Sequence, residues 1–164
     1  MEIRRRKNQI EISELDPFLA ELLRQIPVSA NPDGARAAEQ RIFSSPANGK
    51  EEELCAEWKM YVEPELRRLF QTATQTVGAD LEQLNGNEES LANRTLRIPT
   101  KHSDAWLSAL NQARLVIAAK NNFTELELND HLRSPIGSRR DLSLFQVNFY
   151  GFLQEFILRE MESS

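Results

Sequence analysis

Residues 104–123, DAWLSALNQARLVIAAKNNF, place apolar side chains on nearly every side of a helix drawn at about 100° per residue. Trp106, Leu110, Ala113 and Ile117 mark the most apolar face, with Leu107, Leu115, Val116 and Ala118 on others, so this segment reads as a central helix. The last helix, RRDLSLFQVNFYGFLQEFILREM, carries Leu142, Phe145, Phe149, Phe152, Leu153, Phe156 and Ile157 on a wide apolar arc. Val147 and Leu158 widen that arc past what one neighbour covers, so the helix is either central or part of a homo-oligomer interface. Gly151 lies opposite the arc, where it permits close backbone approach at about 1 kcal/mol in helix propensity.

Upstream, Asp16 suits an N-cap before Pro17, and Phe18, Leu19, Leu22, Leu23 and Ile26 follow at helical spacing until Pro27. Turn dipeptides Asn31-Pro32, Asp33-Gly34, Ser45-Pro46 and Asn48-Gly49 bracket a short helical piece, Ala35 to Phe43. From Lys50 to Val62, Leu54, Cys55, Trp58, Tyr61 and Val62 share one face; Pro64 is expected to interrupt this helix and begin the next. That next helix has a stripe of Leu66, Leu69, Phe70, Ala73, Val77, Leu81 and Leu84, with Asp80 inside it. Asn85-Gly86 ends the pattern, Leu96-Arg97-Ile98 before Pro99 suits a short extended segment, and Ser103 or Asp104 suits a cap. Asn121 and Asn122 suit a helix end, before a loop through Pro135 and Gly137. Ile3, Ile10 and Ile12 around RRRKNQ suggest a short strand or hairpin.

The expected fold is therefore mainly α, a single-domain bundle of about six helices with a short N-terminal β element. The domain is 1–164, with a strand or hairpin in 1–13, N-terminal helices in 16–84, a linker in 85–103 and two central helices in 104–162.

Composition narrows the classes. A chain of 164 residues with 40% hydrophobic and 27% charged residues suits one domain with its own core. A net charge of −5 argues against a general nucleic-acid binder, and no apolar run approaches the ~20 residues of a membrane span. The N-terminus is basic but lacks the apolar stretch of a leader, and Cys55 is the only cysteine, so the expectation is a soluble, cytoplasmic protein without a disulfide framework. The sequons at Asn93 and Asn122 would matter only in a secreted chain.

Phosphate-cradling glycine loops and the nucleophile elbow are missing. His102 and His131 are the only histidines, neither stands three residues after a glutamate, and three Cys and His residues in total are too few for a zinc site. Cys55 reads as an inert core thiol, and Glu51 to Glu53 with Glu88 and Glu89 as solvated charge. No catalytic set, metal or cofactor is expected. Arg4, Arg5, Arg6 and Lys7 form a basic cluster, read either as a phosphate or acidic-partner contact or as a charged edge strand.

Asn111 and Arg114 stand within the central helix and need partners, because an unpaired buried charge costs several kcal/mol. Asp80, Gln146 and Gln154 fall on or beside the apolar faces of neighbouring helices. Two readings stay open: a polar network that fixes helix register, with Arg114 and Asp80 as its charged pair, or a pocket in which Arg114 grips a carboxylate or phosphate. Likewise Phe145, Phe149, Phe152 and Phe156 either fill the core or present a partner surface.

Trp106, Leu107, Leu110, Asn111, Arg114 and Leu115, then Leu153, Gln154 and Glu155, carry a resemblance. They are similar to the uncharacterised bacterial family DUF2017, a domain of unknown function whose members have a Trp-Leu-x-x-Leu-Asn-x-x-Arg-Leu helix followed by a last helix containing Leu-Gln-Glu. The stretches NGKEEELCAEW and NRTLRIPTKHS depart from that pattern. The resemblance supplies no catalytic residue, singles out Asn111, Arg114 and Gln154, and implies a link to the Clp protease machinery, beside whose adaptor actinobacterial members tend to be encoded. The leading expectation is a non-enzymatic helical binding or regulatory module connected with Clp-dependent proteolysis. The second is an anionic-metabolite binding protein or enzyme with a pocket around Arg114, and the third a nucleic-acid contact through Arg4 to Lys7.

Overall fold

A computed structural model describes residues 1–45, 47, 51–85, 94–129 and 136–163. The turn signals at Pro46, Asn48-Gly49, Gly86 and Pro135, the acids Glu88 and Glu89, Asn93 and His131 lie outside the described residues.

The chain opens with a hairpin of β1 (Glu2–Arg6) and β2 (Gln9–Leu15), turned through Lys7 at φ 51°. A third strand, β3 (Arg94–Pro99), pairs antiparallel with β2, with Ile10 opposite Ile98 and Ile12 opposite Leu96. The β element thus extends beyond the N-terminus and recruits part of the expected linker. The reason is burial: a two-stranded ribbon is marginal alone, and Leu96 and Ile98 complete the face on which Ile10 and Ile12 are buried. A bulge between Ile12 and Leu15, with Glu14 at φ 53°, brings Leu15 into the core as well.

β1 is the sheet edge and carries the basic cluster. Arg4 pairs with Glu2, Arg6 Nε lies 3.7 Å from Glu11, and the Arg5 guanidinium donates to the Glu160 carbonyl at the far end of the chain. Charge here protects an edge and ties the hairpin to the last helix.

Helix α1 (Pro17–Arg24) begins as its sequence dictates, with Pro17 in the first turn and Asp16 Oδ1 accepting from Leu19 N at 2.8 Å. The chain continues through α2 (Ile26–Ser29), α3 (Arg36–Phe43) and α4 (Glu52–Glu57). Pro64 does not separate two helices as expected. A π-helical turn, Trp58–Val62, joins α4 to α5 (Glu63–Leu81) without a break. Proline cannot donate to the carbonyl four residues back and its ring crowds it; here Glu63 N bonds Trp58 O, five residues back, and this wider turn makes room.

Helix α6 (Ser103–Asn121) is central, and α8 (Arg139–Glu162), α5, α2 and α3 pack around it. Trp106, Leu110, Ala113 and Val116 are fully buried on it. It starts at Ser103 without a side-chain cap, so neither Ser103 nor Asp104 caps it as expected. It ends at Asn122, whose φ of 51° is the left-handed conformation asparagine tolerates. A short α7 (Glu125–Asn129) leads toward α8, whose N-cap Ser138 accepts from Asp141 N at 3.1 Å. The α5 stripe is buried only from Ala73 onward; Leu69 is 50% exposed because α6 covers the C-terminal part of α5.

Tyr150 on α8 is buried and its hydroxyl donates to the Leu22 carbonyl of α1 at 2.6 Å, while Gln146 Nε2 donates to that hydroxyl at 2.7 Å. Burial pushes the phenol up to about 12, so the folded chain holds this proton more tightly than the unfolded chain. Its stabilising effect is complete below the ordinary tyrosine value of about 10 and is lost as pH rises toward 12. Tyr150→Phe should lower stability at neutral pH by about 1–3 kcal/mol, because the Leu22 carbonyl and the Gln146 amide lose a partner. Urea titrations should also show a shallower loss of stability above pH 10 in this variant than in wild type.

Candidate functional site

The structure distributes the sequence-selected polar residues among separate contacts. Arg114 Nη1 donates to Gln154 Oε1 at 2.7 Å, and Gln154 Nε2 returns a bond to the Leu107 carbonyl of α6 at 3.2 Å. The guanidinium lies on Gly151: a Cβ there would stand 3.2 Å from Arg114 Cζ. Close approach of α6 and α8 is therefore what this glycine permits. Arg114 Nε is buried without a partner, so the seat is tight but incompletely satisfied.

The expected Arg114–Asp80 pair does not form. Asp80, 8% exposed on α5, accepts from the Trp106 indole at 2.9 Å and lies 2.9 Å from His102 Nδ1. Trp106 enters the sequence pattern as apolar bulk, although an indole N–H must find an acceptor when buried, and nothing in that pattern pairs His102 with Asp80. Gln146 joins neither group; beyond Tyr150 it reaches Ser29 Oγ at 3.0 Å. Asn111 is exposed, one residue before the buried Gln112, and belongs to no network.

The phenylalanine arc is divided as well. Phe149 is buried; Phe145 is half-buried between Phe18 and Phe149, with ring centroids 5.5 and 6.3 Å away. Phe156 packs half-buried against the core, and Phe152 is 50% exposed. Core packing accounts for most of the arc. Val147 is buried too, while Leu158 is exposed.

A different face stands open. In α4 and its π turn no residue is buried, although the segment carries Leu54, Cys55, Trp58, Met60, Tyr61 and Val62. Tyr61 is 72% and Met60 66% exposed. The segment stands as an arm, attached through α5 and by Trp58 Nε1 donating to the Phe43 carbonyl at 3.0 Å. Leu54, Trp58, Tyr61 and Val62 line an open recess of about 590 Å³ on it together with Glu57, and Glu51, Glu52 and Glu53 are exposed at the start of the same segment. Cys55 is half-buried in a neighbouring recess with Trp58, so it is not the core thiol its helix face suggested. The amphipathic pattern at 50–62 was visible in the sequence; whether the chain itself covers that face was not.

Among the described residues no group of three His, Cys, Asp or Glu side chains is placed to hold a metal, and no helix is long and apolar enough to cross a membrane. Residues 3–161 match the model of the family described as Domain of unknown function (DUF2017), and the chain belongs to that family. No curated protein and no solved structure matches it.

The Arg114 seat is testable by a double-mutant cycle. Alanine favours a helix over glycine by about 1 kcal/mol, so Gly151→Ala should stabilise an Arg114→Met background by about that amount. In wild type the guanidinium must give by a few tenths of an ångström to admit the methyl, so the same change should stabilise less than it does in the Arg114→Met background. Additive melting shifts would mean that the seat contributes nothing.

Proposed function

Because membership of this family assigns no activity, we propose that the chain is a non-enzymatic binding or regulatory module that docks a protein partner on its 52–62 arm. One observation carries this reading: an eleven-residue helical arm rich in Leu, Trp, Met, Tyr and Val in which nothing is buried. Scattered exposed apolar residues are ordinary, but a recess edged by Leu54, Trp58, Tyr61 and Val62 is a coherent apolar surface. Aromatic anchors are what binding surfaces concentrate, because they bury much area with few rotamers. Glu57 at the recess edge, with the exposed Glu51, Glu52 and Glu53 at the start of the segment, favours a partner of opposite charge: an amphipathic segment with apolar anchors between lysines or arginines. Of the partners that the family resemblance implies, a component of the Clp protease machinery is the first to test.

The alternative of an anionic metabolite held by Arg114 has less support. That guanidinium is engaged by Gln154 and covered by Gly151, so a ligand carboxylate would have to displace a bond already made.

The experiment is affinity capture with the tagged chain, alongside Leu54→Asp and Tyr61→Asp. Both positions are exposed, so stability should stay within about 0.5 kcal/mol of wild type. A specific partner should be retained by wild type and lost at least tenfold by both variants. A partner retained equally by all three overturns the arm as its seat, and a retained partner outside the Clp machinery overturns that connection.

A further inference from the structure

The sheet has two edges, and the chain treats them differently. On β3 the Gln83 amide, from the turn after α5, donates to the Arg97 carbonyl at 2.8 Å and accepts from Arg97 N at 3.1 Å. These are the two bonds that a neighbouring strand would make, so a side chain already closes that edge. On β1, at the other end of the sheet, no further strand follows among the described residues.

Register decides which groups β1 turns outward. Bonds alternate in side along a strand, and the Asn8 carbonyl accepts from Thr100 N on the β3 side. Gln9, Glu11 and Ser13 therefore turn their main-chain groups toward β1, where Arg6, Arg4 and Glu2 stand opposite. Ile3, between Glu2 and Arg4, turns its own N–H and C=O away from β2, to the outer edge. Side chains alternate too: Ile3 packs half-buried against the core, while Arg4 and Arg6 stand exposed on the other face.

Charge decides what suits this edge. Arg4, Arg5, Arg6 and Lys7 are exposed along it with one carboxylate, Glu2. On β2 behind them, Glu11 is shared by Arg6 at 3.7 Å and Arg97 at 3.5 Å, and Glu14 also attracts Arg4. A chain of net charge −5 thus concentrates cations on the edge that no strand covers. A second copy of β1 would set arginine against arginine and is turned away. An extended acidic segment instead sets carboxylates beside Arg4 and Arg6.

We propose that β1 accepts an extended acidic peptide as a fourth strand of the sheet. Its carboxylates occupy alternate positions, opposite Arg4 and Arg6, and an apolar side chain on its other face lies beside Ile3. Main-chain bonds supply the grip, and the alternating carboxylates supply the selection. The edge shares no residue with the apolar recess of the arm and stands whether or not a protein docks there.

The test is a titration of the isotopically labelled full chain with a capped octapeptide of alternating Glu and Val, followed by amide NMR. Saturable shifts should centre on residues 2–7, and the Ile3 amide should gain protection from hydrogen exchange. Two further peptides separate charge from strand pairing: one with Lys in place of Glu, and one N-methylated at its valines, the positions that face Ile3. Each should bind at least about tenfold more weakly. Arg4→Glu combined with Arg6→Glu, both at exposed positions, should reverse the preference, so that the Lys peptide binds and the Glu peptide does not. If that variant does not fold, the three peptides on wild type decide alone. Absence of saturable shifts at residues 2–7 with the Glu peptide overturns the proposal. So does equal binding of the N-methylated peptide, which would mean attraction by charge only, or a single-stranded oligonucleotide that shifts residues 2–7 where the Glu peptide does not.

Discussion

A nineteen-residue helix that is apolar on almost every side has to be covered on almost every side, and the chain is arranged around that obligation. Helix α8 covers one side of α6, α5 another, and α2 and α3 the rest. Burial supplies the stabilisation, but it is non-directional and would tolerate sliding. Direction comes from three polar pins on α6. Trp106 bonds Asp80 of α5 at 2.9 Å, Gln112 bonds the Ala30 carbonyl after α2 at 2.6 Å, and Arg114 bonds Gln154 of α8 at 2.7 Å. Each pin joins a different neighbour, so together they set the register of the whole assembly.

The pins explain why polar residues recur in so apolar a helix, and why one of them has a glycine opposite. Arg114 can reach Gln154 only by lying across the α8 backbone, and Gly151 is the position where α8 has no side chain in the way. At the other end of α8, the Arg5 contact to the Glu160 carbonyl closes the chain onto its own hairpin. The sheet is therefore fixed through both its covered face, via Ile10, Ile12, Leu96 and Ile98, and its edge strand.

Much of this was legible in residues. The period of α6 and the Asp16-Pro17 start of α1 depend on neighbours in sequence, and the structure has both. The polar residues of the site are legible as residues in need of partners, Arg114 and Gln154 among them. Which partner each takes depends on helix phase and on side chains such as Trp106 that count as apolar in a pattern. Asn111 and Gln112 show how fine the margin is: one step of about 100° separates a solvated amide from a buried one. The extended segment at Leu96-Arg97-Ile98 is legible in the sequence and the structure has it as β3, but its pairing with β2 is not, because that partner lies about eighty residues away and no local pattern names it. The open face of the arm escaped because amphipathicity announces that a face wants covering and is silent on what covers it.

Helix 52–81 serves two ends with opposite demands, one packed into the core and one facing outward, and the π turn is what reconciles them. A turn that closes five residues back holds an extra residue, and that residue shifts the angular phase of everything before it by about 100° relative to an uninterrupted α-helix. The stripe that α5 buries and the stripe that the arm displays therefore obey separate clocks. Loss of one residue between Trp58 and Val62 would restore the α-helical count and turn the arm about its axis, moving Leu54 while leaving Val77 and Leu81 where they are. Natural length variation at this turn, and not only substitution on the arm, is thus a means by which evolution can re-aim one surface without disturbing the core.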